Sequence, residues 1–321
     1  MVSRGLHRFT LLVAGATFLL IVAGALVTSH DAGLATSDWP LTEGRFLPKS
    51  ESLGITNGVN MVGNLFWEHG HRMVATTVGM LTIGLVIFLF IKEKRQWVRR
   101  LGLLALLAVI AQGLLGGLTV KLSLPLAVST AHATLAQLFF CTTVALAVFT
   151  SRSWMEAQPT LEEKGTLPVR YIAVAAAVTI FLQLILGATL RHSAMWDQQL
   201  PTDLVLAHIG GGIAVAFVLA TTAIMILRRH SGVTFLTRPA MIALGLLTIQ
   251  LTLGVAAYLT RLASPNDPQP LSPMVGITVA HVACGALVFA TTIVLTLRAF
   301  RVLRATAPSF DLASREALYR R

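Results

Sequence analysis

Uncharged apolar stretches recur along this chain, over roughly residues 9 to 28, 73 to 91, 101 to 120, 126 to 150, 171 to 190, 204 to 227, 239 to 260 and 274 to 297. Each is near the length of about 20 residues that lets a helix cross the hydrocarbon core of a bilayer. Together they predict eight transmembrane helices and an all-α membrane protein. The runs are apolar throughout, so a barrel of strands with alternating polarity is excluded. Composition agrees: 55% hydrophobic residues, 12% charged residues and a mean hydropathy of +0.74 lie outside the soluble range. The first run follows Met-Val-Ser-Arg-Gly-Leu-His-Arg and shows neither an Ala-x-Ala cleavage site nor an Arg/Ser-rich transit segment. A retained first helix and a bacterial inner (plasma) membrane are therefore expected.

Charge sets the orientation. Of 25 Lys and Arg, nineteen fall on one side: Arg4 and Arg8, Lys92 to Arg100, Arg152 to Arg170, Arg228 to Arg238, and the C-terminal tail. The other six, Arg45, Lys49, Arg72, Lys121, Arg191 and Arg261, belong to the opposite side. The positive-inside rule then places both termini in the cytoplasm. The net charge of +11 is spread over many loops and forms no single basic patch, so nucleic acid is not an expected partner. The two cysteines, Cys141 and Cys284, lie in apolar runs. They support neither a disulfide framework nor a Cys-rich metal or iron–sulfur site.

The runs are also related to one another. The third, fifth and seventh carry Gln112-Gly-Leu-Leu-Gly116, Gln183-Leu-Ile-Leu-Gly187 and Gln250-Leu-Thr-Leu-Gly254, a Gln and a Gly on one helix face; the first has Gly24 without the Gln. Each is followed by an outer loop and a helix with a histidine near its outer end: His71, His132, His208 and His281. The expected organisation is two pseudo-symmetric four-helix bundles. Residues 1–150 form an N-terminal half, 151–170 a cytoplasmic linker with Pro159 and Pro168, 171–305 a C-terminal half, and 306–321 a cytoplasmic tail. The Gln/Gly pairs read either as tight packing with an interhelical hydrogen bond or as direct cofactor contacts.

All four histidines have a small residue at i+4: Ala75, Ala136, Gly212 and Gly285. A ligand beside a missing side chain leaves a flat slot of the kind a porphyrin edge needs. At about 1.5 Å rise per residue, His132, His208 and His281 lie on the order of 6 to 10 Å below their outer helix ends. Histidines at one depth on facing helices can clamp an iron from both sides, and imidazole is a standard axial haem ligand. The bland alternative is interhelical hydrogen bonding, but ionisable residues in membrane segments point to function. His7, His30, His69, His192 and His230 lie in or beside loops and are expected to be mostly solvated, with His192, next to Arg191, the one of interest.

The first outer loop and second helix contain Gly24-Ala-Leu-Val-Thr28, Asp38-Trp-Pro-Leu41, Gly44-Arg-Phe-Leu-Pro48 and Glu68-His-Gly-His71-Arg72. With Gly187-Ala-Thr-Leu-Arg-His192 and the later histidines, they make the whole chain resemble the haem A synthase family, membrane enzymes that oxidise a methyl group of haem O to the formyl of haem A for terminal oxidases. The resemblance implies that His208 and His281 ligate a resident haem b. It implies that His71 and His132 face the substrate haem O, with Glu68 as catalytic acid. Family members with a Cys pair in the first outer loop have it where this chain reads Ala35 and Thr42, and residues 191–201 hold no cysteine either. Thiol chemistry at the outer surface is therefore not expected here.

These residue types suit such chemistry. Oxidising a porphyrin methyl removes electrons stepwise, and a second haem nearby gives them a destination. Glu68, one turn before His71, could take a proton or stabilise positive charge at a haem edge; alternatively it is a helix N-terminal carboxylate favoured by the macrodipole. Arg72, Arg191 and Arg261 suit haem propionates or ordinary interfacial snorkelling. Competing functions are a bis-histidine cytochrome b that only transfers electrons, and a porphyrin carrier. Candidate partners are the lipid bilayer, a haem O synthase, cytochrome oxidase assembly factors and a second copy of the chain; the electron acceptor is not specified by the sequence.

The charge split makes a prediction about sidedness. Positions near Arg95, Glu162 and Arg229 should label from the cytoplasm, and Trp39, Trp196 and Asn266 from outside. Cysteine-accessibility labelling that put positions 95 and 196 on one side would overturn it.

Overall fold

The computed structural model describes residues 3–42, 44–45, 63–158, 161–163, 168–197, 201–263 and 272–305. Phe46 to Pro48, Lys49, Pro159, Lys164, Asn266 and the tail 306–321 lie outside them. The long helices are α1 (Arg4–Ser29), α2 (Asn64–Lys92), α3 (Gln96–Lys121), α4 (Leu126–Thr150), α6 (Val169–Asp197), α7 (Thr202–Arg229), α8 (Thr234–Ala263) and α9 (Ser272–Val302), with a short α5 (Arg152–Glu156) between the fourth and fifth of them. All eight long helices are long and apolar enough to cross a membrane, so this is a multi-pass helical membrane protein. Their outward faces are greasy: Phe217 is 72% exposed and Ile91 66%. Such surface requires lipid and not water around it.

Most helices outrun the uncharged stretches. The second run begins at residue 73, whereas α2 begins at Asn64, so Glu68, His69, His71 and Arg72 sit inside a helix. Apolarity marks only the part in hydrocarbon; the helix continues through the interface because its backbone hydrogen bonds are still best satisfied internally. α8 likewise starts at Thr234, ahead of Pro239. Pro239 cannot donate to the carbonyl four residues earlier, and that carbonyl, of Phe235, accepts from Arg298 Nη1 at 3.1 Å instead.

Neighbouring helices in sequence pack on each other, and each set of four closes on itself through α1–α4 and α6–α9. The two sets meet through α1–α9, α4–α6 and α4–α9, a pattern consistent with two four-helix bundles. Ile21, Phe140, Ile180, Leu219 and Phe289, from five helices, form one apolar core at this junction. A second core, with Val13, Leu85, Val98 and Leu146, lies within α1–α4, and a third, with Ile226, Leu236 and Leu295, within α6–α9.

The segment between the halves is more than a tether. Leu161–Glu163 (β1) pairs in parallel with Leu303–Ala305 (β2), joining it to the end of α9. Glu163, 3% exposed, accepts from the Arg170 main-chain N–H at 3.1 Å and pairs with Arg170 Nε at 3.3 Å. On the same side of the first four helices, Arg95 Nη2 donates to the Phe149 carbonyl at 2.8 Å and to Glu93 at 2.7 Å. That cation serves the C-terminal end of α4, and its hydrogen bond holds the Glu93 carboxyl below the usual range.

Candidate functional site

Each of the four sequence-predicted histidines is seated against a glycine of the preceding long helix. A Cβ built on Gly24 would lie 3.1 Å from His71 Cε1; on Gly116, 3.3 Å from His132 Cε1; on Gly187, 2.9 Å from His208 Cε1; on Gly254, 3.0 Å from His281 Cε1. A side chain at Gly187 would collide with the imidazole and one at the other three would force the ring to give by a few tenths of an ångström, so the glycines make room for the rings. The sequence shows the repeated glycine but not its partner on the next helix.

The glutamine one turn before the glycine completes three of the four seats. Gln112 Nε2 donates to the His132 carbonyl at 2.9 Å. Gln183 Nε2 donates to the His208 carbonyl at 2.7 Å and lies 3.0 Å from its Nδ1. Gln250 Nε2 lies 3.2 Å from His281 Nε2. The Gln/Gly pairs are thus packing and hydrogen-bonding devices, and they act on the histidines. They also fill space expected to be open. The Gln183 amide lies beside Gly212 and Gly211, and the Gln250 amide beside Gly285, so the small residues at i+4 in this half admit a glutamine.

From the starts of α4 and α7, His132 and His208 lie about 9 Å down the helix, and His281 about 13 to 14 Å from the start of α9. His208 and His281 face each other with ring centroids 6.3 Å apart. With metal–imidazole bonds of about 2 Å on each side, two rings sandwiching one metal have centroids about 6 Å apart, so this pair fits bis-axial ligation of a haem. His71 and His132 are close enough for their charges to interact. Nδ1 of His71, His132 and His281, and Oε1 of Gln112, Gln183 and Gln250, are buried without a hydrogen-bond partner among the described residues. Buried polar atoms left this way call for an explanation, and a ligand that fixes the ring orientations would supply one.

Glu68, 4% exposed, lies below the first outer loop. Its Oε2 accepts from the Thr36 N–H at 3.0 Å and its Oε1 pairs with Arg72. Arg72 Nη1 also donates to the carbonyls of Asp38 at 2.8 Å and Leu41 at 2.7 Å. Glu68 is outside the first turn of α2, which holds no acidic residue, so the macrodipole reading does not describe it; the pair instead ties the loop to the helix. Trp39 lies over Gly117 of α3, where an added Cβ would meet the indole at 2.6 Å.

Arg191 reaches across to the other half, where Nη2 donates to the Ala25 carbonyl at 2.8 Å and to Ser29 Oγ at 2.5 Å on α1. Its Nη1 is buried without a partner among the described residues. Arg261 sits in the last turn of α8. Of the histidines expected to be solvated, His69 is instead 7% exposed and bonded to Thr42 Oγ1 at 3.1 Å, and His30 stacks on Trp67 at 4.1 Å. His192 is near enough to His132 for their charges to interact. Folding of the loop back onto α2 is what buries His69, and no local sequence signal announces it. Leu126, Ala127, Thr130, Ala131 and Thr134 of α4, with Ile185 and Thr189 of α6, line an apolar groove of about 550 Å³ on a part of α4 that includes the turn of His132.

Eight membrane-length helices carrying four half-buried, glycine-seated histidines, two of them at metal-sandwich distance, define a multi-pass helical membrane protein with paired histidines. Residues 7–293 match the COX15-CtaA family of cytochrome oxidase assembly proteins, and the chain belongs to that family. Similar proteins include the heme A synthases of Beijerinckia indica (39% identical over 132 residues, 40% of this chain and 36% of that protein), Flavobacterium psychrophilum (27% over 194 residues, 53% and 56%) and Shouchella clausii (24% over 278 residues, 80% and 88%). The stretches matched in the first two cover about a third to a little over half of those relatives' length.

The seats predict a position-specific response to an added methyl. Gly254→Ala should lower the thermal midpoint of the purified protein by an amount corresponding to about 1 to 3 kcal/mol of overpacking. Gly245→Ala, on the same helix with nothing within 4 Å, should leave it unchanged or raise it. Equal midpoints for the two variants would remove the steric role of the seat.

Proposed function

We propose that this protein is a haem A synthase: it oxidises a methyl group of haem O to a formyl group, giving haem A for terminal oxidase assembly. The observation that carries the reading is the paired set of seated histidines, one pair in each set of four helices, together with a buried carboxylate, Glu68, one helical turn before His71. Membership of the cytochrome oxidase assembly family supports it, as do relatives named heme A synthase.

In this reading His208 and His281 hold a resident haem b, which when bound accepts electrons withdrawn from the substrate. Held by these two imidazoles, such a haem would serve electron transfer. His71 and His132 hold haem O in the N-terminal half, and the groove flanking His132 gives apolar space for its hydrocarbon substituent. Glu68, one turn before His71, is the catalytic group: its carboxylate stabilises positive charge developing at the substrate methyl or accepts a proton from it. Arg72 holds Glu68 in place and, with the loop carbonyls, shields the site from water. Arg191, with one buried nitrogen unspent, and Arg261 are the propionate-binding candidates. In this reading the protein works in a bacterial plasma membrane with both termini cytoplasmic, as its charge distribution favours. A haem O synthase and oxidase assembly factors are its candidate partners. An electron-transfer cytochrome would need both histidine pairs but no carboxylate beside one of them, and a carrier would need neither the pairing nor the acid.

His208→Ala or His281→Ala should abolish the low-spin haem b spectrum of the purified protein while the chain remains in the membrane. Either variant keeping a full complement of bis-histidine haem b would refute the assignment.

Glu68→Gln tests the chemistry. The amide oxygen can still accept from Thr36 N–H and from Arg72, so a purely structural Glu68 predicts a lower thermal midpoint but near-normal haem A per folded protein. A charge needed in the reaction predicts a fall of about 100-fold or more. Haem O or a partly oxidised alcohol should then accumulate, with haem b unchanged. The measurement is a chromatogram of haems extracted from cells making the variant beside the wild type.

A further inference from the structure

At the end of the bundle that the charge split assigns to the cytoplasm, two arginines stand near each other without an acid. Arg298, in the last turns of α9, donates from Nη1 to the Phe235 carbonyl at 3.1 Å, and its guanidinium carbon lies 4.6 Å from the Phe235 ring centroid. Its Nε is buried without a hydrogen-bond partner among the described residues. Arg238, in the second turn of α8, is exposed and close enough for the two charges to repel. The acid–base pairs of the described residues engage Glu68, Glu93, Glu156 and Glu163, and neither Arg238 nor Arg298 shares in them.

Two like charges at close quarters, one of them half-buried, are unfavourable unless an anion lies against them. The surface beside the pair tells which kind of anion fits. Met241, Ile242 and Ile249 follow Arg238 at i+3, i+4 and i+11 on one face of α8, and each is more than half exposed. That apolar stripe runs from the arginines toward the middle of the bilayer. Phe300, two residues beyond Arg298, packs edge-on against Tyr171 with ring centroids 5.8 Å apart, and both are exposed. Exposed aromatic rings at the end of a membrane helix mark the boundary between hydrocarbon and water. The charged pair is therefore at headgroup level and the stripe at acyl-chain level. A soluble anion would use only the first, whereas a phospholipid uses both.

We propose that Arg238 and Arg298 bind the phosphate of an anionic phospholipid whose acyl chains lie along the Met241, Ile242 and Ile249 face of α8. Guanidinium groups match phosphate oxygens with paired N–H donors and are weakly hydrated, which suits them to the edge of hydrocarbon. The phosphate neutralises the repelling pair. Arg298 is then held over the Phe235 carbonyl that Pro239 leaves free, so the lipid steadies the start of α8 against α9. This site lies at the opposite end of the helices from Glu68 and the seated histidines, and it is independent of what those histidines hold.

The test is native mass spectrometry of the full-length protein released from detergent micelles, after titration with phosphatidylglycerol or with phosphatidylcholine of the same acyl chains. The wild type should bind one phosphatidylglycerol ahead of all others and prefer it to phosphatidylcholine. Arg238→Gln, at an exposed position, should weaken that first binding about 5-fold, the weight of one basic side chain at an anionic bilayer surface. Arg298→Gln should weaken it at least as much. Arg228→Gln, also exposed and at the same end, should leave it unchanged. Excess inorganic phosphate should not displace the lipid. Equal affinity for the two lipids, unchanged binding in either Arg238→Gln or Arg298→Gln, or an equal loss in Arg228→Gln would overturn the inference in favour of diffuse attraction to the basic end. Displacement by inorganic phosphate would overturn it in favour of a site for free anions. Any of these results would leave the synthase reading where it stands.

Discussion

Four imidazoles carried into the apolar interior of a helical bundle must each be given space, and in this protein it comes from the preceding long helix, which for three of the four supplies a polar neighbour as well. A bilayer offers no water to a stray polar group. An imidazole left against methyl groups would lose its hydrogen bonds, and one crowded by a Cβ would be forced off its rotamer. The missing Cβ of Gly24, Gly116, Gly187 and Gly254 solves the second problem and the amides of Gln112, Gln183 and Gln250 address the first. Because glycine and glutamine lie four residues apart, they share a helix face and approach the same histidine. Helix register, crossing distance and ring position are thereby coupled. Sliding one helix by a residue would put a bulky neighbour such as Leu115 or Leu253 where the ring now rests.

The outer loop is organised by a second polar constraint. Glu68 and Arg72 are one turn apart on α2 and pair directly, and an exposed pair of this kind contributes little. Here the carboxylate is 4% exposed and the guanidinium also serves two loop carbonyls. Removing one partner of such a buried pair leaves an uncompensated charge, at a cost of about 3 to 5 kcal/mol. The loop that brings Thr36, Asp38 and Leu41 over the helix is therefore held by charge, with Trp39 over Gly117 as its apolar foot. In the synthase reading, the same contacts exclude water from a carboxylate and place it beside His71.

Much of this was legible in the chain. Eight helices follow from eight uncharged runs, and the four histidines with their Gln/Gly pairs are visible as a repeat. Contacts between helices distant in sequence were not. Nothing near Gly187 says that its neighbour will be the ring of His208, and nothing near Arg191 says that it will bond the Ala25 carbonyl on α1. His69 reads as a loop residue because it lies outside the apolar run, yet the loop folds back and buries it against Thr42. The i+4 glycines of α7 and α9 suggested a slot for a flat ligand. They admit glutamine side chains, because small residues in a membrane bundle are claimed first by whatever polar group must cross between helices.

Arg191 and His192 bear on why two such sites occupy one chain. These consecutive residues of α6 point toward different places: Arg191 bonds to α1 and is within electrostatic reach of His281, while His192 is within reach of His132. α4 and α9, which carry His132 and His281, also pack directly on each other. The helices that carry one histidine of each pair therefore meet at the junction of the two sets, and one turn of α6 comes near both histidines. If each pair holds a haem, electrons leaving the N-terminal site need cross only this junction, over ground that already contains a fixed positive charge. A positive charge between two sites lowers the cost of adding an electron to either, and it acts most strongly where water cannot screen it. Joining the halves at α1, α4, α6 and α9, and not through the linker alone, is what makes that shared ground available.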